Sequence, residues 1–166
     1  MTAAKTLRDV LGEEIRGLYS AEIQWAKALP DLARAATNSG LKATFLGHFK
    51  EGEGQVRRLD KVVKILGISL RDVVCGAVRG VVEESAERIA DFPPGSARDA
   101  VLISTAQRVE HYEISAYRSA RTFAKLLGSN EVAGLLQGNL EEEIEADRKL
   151  TDLAEHINPL ALSAQE

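Results

Sequence analysis

Apolar residues recur every three to four positions over long stretches of this chain, the period of an α-helix with one buried face. The rhythm is interrupted at Asn38-Ser39-Gly40, Gly67, Phe92-Pro93-Pro94-Gly95, Gly128 and Asn158-Pro159, and a glycine or a following proline is the usual end of a helix. These stops predict helices over about 6–36, 41–66, 70–91, 97–127 and 131–157, with Thr6, Ser69, Ser96 and Asn130 as N-caps and a kink at Pro30.

Four of the five segments are long, and three of them approach 30 residues, roughly 45 Å at the rise of an α-helix. Short links join the first to the second and the fourth to the fifth, so each pair should form an antiparallel hairpin. The longer link between hairpins, carrying the short third helix, suits a ferritin-like arrangement, although an up-down-up-down bundle is compatible with the same lengths. The expected fold is therefore all-α, a ferritin-like four-helix bundle of two antiparallel hairpins with an extra short helix in the central connection. One domain covers 1–166, and the C-terminal LALSAQE is expected to fray.

The buried stripes contain acids. The first helix reads Leu11, Ile15, Leu18, Glu22, Trp25, Leu29, Leu32, and the fourth reads Ile103, Ala106, Glu110, Glu113, Tyr117, Ala120, Ala124. The fifth reads Val132, Leu136, Leu140, Glu143, Asp147, Leu150, Ile157. On the second, Leu41, Phe45, His48, Gly52, Gln55, Leu59 and Val62 form the stripe, with Glu51 at its flank and His48 readable either as a weaker metal ligand or as a satisfied core histidine. An unpaired buried carboxylate costs roughly several kcal/mol, so several together would rival the stability of a domain. Divalent or trivalent cations would neutralise them, and oxygen ligands suit iron or manganese. The competing reading folds Arg58, Arg118, Arg121 or Arg148 back onto the acids, or places the acids at a wet seam between protomers.

Other residues carry weaker signals. His111 lies about 100° around the helix from Glu110, which suits a supporting or surface position. Tyr19, Tyr112 and Tyr117 fall near the acids, and Glu84 on the short helix could serve as an extra ligand or cap. Cys75 reads as a small buried residue; a single cysteine excludes an internal disulfide and a thiolate zinc site. Apolar residues make up 45% of the chain, enough for one core. The net charge of -4, with basic residues scattered among acidic ones, argues against a nucleic-acid partner. The absence of a long apolar run argues against a membrane span, and a cytoplasmic protein is expected.

LYSAEIQWAKALPDLARAA (18–36), HFKEGEGQVRRLD (48–60), GVVEESAE (80–87), AQRVEHYEISAY (106–117) and LEEEIEADRKLTDLA (140–154) resemble, in order, the signature blocks of the YciF/YciE family of ferritin-like bacterial stress proteins. The resemblance covers nearly the whole chain. It implies a rubrerythrin-like bundle, commonly a homodimer, with Glu22, Glu51, Glu110, Glu113 and Glu143 as metal ligands and Gln55 and Asp147 beside them. Glu22 and Glu143 would be terminal ligands, with Glu113 and Glu51 bridging. The Glu-x-x-His pairs common in ferritin-like di-iron sites are absent: Gly54 and Ala146 occupy the histidine positions. The leading expectation is a carboxylate-bridged di-metal protein, with two iron ions or else manganese, reacting with peroxide or oxygen in stress response. A non-enzymatic scaffold or stress-protective dimer with a metal-free carboxylate seam is the alternative.

Overall fold

Thr6 opens the first helix by donating its backbone N–H to the Asp9 carboxylate at 2.7 Å, and Asn38 opens the second by accepting the Leu41 N–H at 3.0 Å. The computed structural model describes residues 5–71 and 73–162. Their helices are α1 (Leu7–Ala35), α2 (Ser39–Leu66), α3 (Gly76–Asp91), α4 (Ser96–Leu126) and α5 (Asn130–Leu162). Gly67 and Gly128 follow α2 and α4 with φ of 64° and 74°, the left-handed conformation that glycine adopts without steric cost.

The differences from the sequence expectation lie at helix ends. α3 starts at Gly76 rather than near 70. The preceding segment is tied along α1: Arg16 donates to the Ser69 carbonyl at 2.9 Å, Ser20 Oγ accepts the Cys75 N–H at 2.9 Å, and Gln24 donates to the Cys75 carbonyl at 3.2 Å. Cys75, buried, rather than Ser69, precedes the first turn. Gly95 rather than Ser96 caps α4. α1 continues through Pro30, and α5 through Pro159 into the last described residues. At Pro159 the hydrogen bond lost belongs to the carbonyl of exposed Glu155, which water can satisfy. Of the LALSAQE tail, residues 160–162 are helical and 163–166 lie outside the described residues.

α1 packs against α2 and α4, and α5 packs against the same two, so α1 and α5 occupy one diagonal and α2 and α4 the other. Glu22 meets Tyr117 and Thr37 meets Asp99, which sets α1 and α4 antiparallel. Gln55 meets Glu143 and Glu51 meets Lys149, which does the same for α2 and α5. Every packed edge is therefore antiparallel, α2 and α4 run the same way, and the connection through α3 spans the length of the bundle. That is the ferritin-like order and excludes up-down-up-down. α3 lies on the outside against α1 and α4.

Two apolar clusters fill the interior. One gathers Trp25, Leu32, Phe45, Val78, Leu102 and Leu150; the other gathers Leu11, Ile15, Leu59, Ala120, Val132 and Leu136. Along the helices, buried Glu22, His48, Gln55, Glu110, Glu113 and Glu143 lie between them.

Asp99, only 2% exposed, accepts the Thr37 and Asn38 backbone N–H groups at 2.8 Å each and so clamps the α1–α2 turn to the start of α4. Asp99→Ala strands both amides. A loss of about 2–4 kcal/mol in unfolding free energy by urea titration is expected; a loss under about 0.5 kcal/mol would mean that water replaces the carboxylate.

Candidate metal centre

Glu113 and Glu143 are completely buried, Glu110 is 1% exposed, Glu22 2% and His48 6%. Each takes a core position on its helix: Glu22 falls between Leu18 and Trp25, and Glu110 and Glu113 fall between Ala106 and Tyr117. The helical period aims these side chains inward, and the antiparallel packing brings four helices' mid-points to one level.

Two sets of ligand atoms converge there. His48, Glu110 and Glu143 form one, and Glu22, Glu113 and Glu143 the other; within each set one atom per residue lies within 4.8 Å of the others. Glu143 is common to both. His48 Nε2 stands 3.7 Å from Glu143 and 3.8 Å from Glu110.

Neighbouring groups fix one oxygen of several carboxylates. Tyr117 O–H donates to Glu22, Trp25 Nε1–H donates to Glu110 at 3.2 Å, and the Gln55 amide donates to Glu143. Asn139, completely buried, donates to Tyr117 Oη at 2.9 Å and to the Gln55 carbonyl at 3.2 Å. Arg58 donates to Asn139 Oδ1 at 2.6 Å and spends its charge on Glu142.

The remaining atoms have no partner: both Glu113 oxygens, Glu110 Oε2, Glu143 Oε2, Gln55 Oε1 and both ring nitrogens of His48. No lysine or arginine among the described residues forms an ion pair with Glu22, Glu110, Glu113 or Glu143. Arg148 instead pairs with Glu145 and Asp152, and Arg121 donates to Gln137. Orphaned hard oxygens around one imidazole are a donor set that fits iron or manganese.

The other residues singled out in the sequence lie outside these sets. The Glu51 side chain is 40% exposed, between His48 Nδ1 and Lys149 Nζ, each at 3.8 Å. Asp147 turns to His111 Nε2 at 3.1 Å and accepts from Gln107, also at 3.1 Å. Glu84 pairs with Arg108 at 3.1 Å on the outer face. Gln55 touches the cluster through Glu143. Glu113 belongs to one set and Glu51 to neither, while Glu143 is the residue common to both. Asn139 was missed because Leu140 continues the apolar stripe equally well; its signal was the four-residue spacing to Glu143.

Burial pushes the Glu22 carboxyl up to about 8, with the Glu110 charge adding and the Tyr117 hydrogen bond opposing. Burial also raises Glu113 and Glu143 well above the usual carboxylate range, reinforced by the surrounding acids. In the metal-free protein these groups keep protons that the unfolded chain releases near pH 4.5. The folded state then binds more protons than the unfolded state, so stability should fall as pH rises from about 5 to about 8. Urea unfolding of chelator-treated protein across that window checks this, and a flat or rising profile would contradict it.

The sequence pattern of a family described as a domain of unknown function, DUF892, matches residues 6–162. Protein YciF of Escherichia coli (strain K12) is 43% identical over 151 residues, covering 90% of this chain and 91% of that one. The crystal structure of the E. coli stress protein YciF superposes with a TM-score of 0.89 at 41% identity, over 94% of this chain and 99% of that one. YcfI from Rhodopseudomonas palustris gives 0.86 at 36% identity, over 90% and 96%. A structure of ferritin-like, diiron-carboxylate proteins from Bacillus anthracis str. Ames gives 0.70 at 15% identity, over 90% and 99%, a likeness of fold.

Proposed function

This chain belongs to the DUF892 family, and from that premise we propose that it is a ferritin-like stress protein holding two metal ions, iron or else manganese, in its buried carboxylate layer. The observation that carries the proposal is the convergence of two ligand sets on one shared residue, Glu143. His48, Glu110 and Glu143 hold one ion, and Glu22, Glu113 and Glu143 the other. Gln55, Tyr117 and Trp25 orient the carboxylates through the hydrogen bonds they already make.

Charge counting supports the number of ions. The four glutamates of the two sets carry four negative charges when ionised, which two divalent cations balance without help from a distant arginine. The description of the B. anthracis fold relative as diiron-carboxylate proteins is in keeping with this, and that of the E. coli relative as a stress protein suggests the physiological setting. His48 supplies an imidazole from a position that the Glu-x-x-His pattern does not use.

Iron, when bound, brings redox capacity: two ferrous ions hold two electrons, the number that converts hydrogen peroxide and two protons into two waters. The sequence contains no Cys-x-x-Cys module, so a redox cycle at bound iron would draw its electrons from a separate donor. The chain's own contribution is a dry, preorganised ligand layer and carboxyls that release protons as cations bind.

Anaerobic ferrous loading followed by mass spectrometry tests the proposal. About two ions per chain are expected for the wild type, about one for Glu22→Ala and close to none for Glu143→Ala. Near-zero stoichiometry in the wild type would overturn it.

Chelation of the loaded protein should lower Tm by several degrees, roughly the linkage expected for a ligand bound far above its Kd. A metal-free scaffold requires a Tm indifferent to chelators.

A further inference from the structure

His48 belongs to one of the two buried ligand sets and also lines a groove on the molecular surface. The groove, of about 270 Å³, lies between α2 and α5. Two larger grooves, of about 870 and 470 Å³, are lined by no member of either ligand set. The small groove exists because its walls are small: Ala43 and Gly47 on α2 face Ala146 on α5. At its mouth Glu51 and Lys149 stand 3.8 Å apart.

His48 connects mouth and interior. Its Nδ1 lies 3.8 Å from Glu51, and its Nε2 lies 3.7 Å from Glu143 and 3.8 Å from Glu110. The ring is only 6% exposed and neither nitrogen has a hydrogen-bond partner. An imidazole left unpaired between a surface carboxylate and a buried carboxylate layer is placed to receive something that passes between them.

We propose that the groove between α2 and α5 is the passage by which divalent cations reach the buried layer. Glu51 is the capturing carboxylate at its mouth, His48 is the inner contact, and Lys149 offsets part of the attraction. The inference rests on the di-metal reading and adds a route and a separate duty for Glu51: capture rather than permanent ligation.

Gly47 makes the passage testable, because a Cβ added there meets nothing within 4 Å. Gly47→Leu therefore starts from a Cβ with open space on a residue of the groove lining, where its added bulk is expected to narrow the passage, and replacing a helical glycine favours folding. Gly134, also with open space around an added Cβ and on α5 outside the groove lining, serves as the control substitution.

Stopped-flow uptake of Co²⁺, read by its visible absorption, is the experiment, with final metal content read by mass spectrometry. Gly47→Leu is expected to slow uptake by at least about tenfold, since a plugged layer is reached only when helices part, with final stoichiometry unchanged. Glu51→Gln should slow uptake several-fold with unchanged stoichiometry, Lys149→Ala should speed it, and Gly134→Leu should leave it unaltered.

Wild-type uptake together with an unchanged rate in Gly47→Leu would overturn the passage and leave the di-metal reading standing. Loss of an ion in Glu51→Gln would overturn the capture role. No uptake by the wild type would overturn both readings.

Discussion

The structure depends on one constraint: four carboxylates and an imidazole sit between two apolar clusters with no lysine or arginine, among the described residues, paired to the carboxylates. The clusters exclude water, and that exclusion is what raises the carboxyls Glu22, Glu113 and Glu143 above their ordinary range. A layer of this kind has two ways to avoid unpaired charge. It keeps protons, or it exchanges them for cations, and in the second case metal affinity and pH would be coupled through the same groups. The surrounding hydrogen bonds are organised accordingly: Tyr117, Trp25, Gln55 and Asn139 fix the layer's geometry while leaving the Glu113 oxygens and both His48 nitrogens unpartnered.

Topology determines which helices can serve the layer. Because all four packed edges are antiparallel, the middles of α1, α2, α4 and α5 meet at one height, and acids placed there converge without bending any helix. α4 contributes Glu110 and Glu113 one turn apart, and Glu143 on α5 sits between the sets that they enter. The connection through α3 makes this order possible by carrying the chain the length of the bundle, and α3 then covers the outer side of α1 and α4.

Much of this was legible in the sequence because helical period and burial are strongly linked. Glu22, Glu110, Glu113 and Glu143 interrupt apolar stripes, and all four are buried. Flanking positions were harder. Glu51 lies half a step off the stripe, so its side chain reaches the rim, while Asp147 is drawn outward by His111 and Gln107 on α4. Neither partner is visible from one helix alone. Asn139 and Leu140 are both buried, and only the placement of Tyr117 and Arg58 on other helices gives Asn139 its partners. The start of α3 was displaced by the bonds that tie the preceding segment to α1, which local propensity does not encode.

The central claim is that the buried carboxylates exist to hold two cations. Anomalous scattering at the iron edge, measured on crystals of anaerobically loaded protein, tests it most directly. The account expects two peaks in the layer, one against His48, Glu110 and Glu143 and one against Glu22, Glu113 and Glu143. Loaded crystals with no peak in the layer, and with the glutamates paired to one another through shared protons, would contradict it.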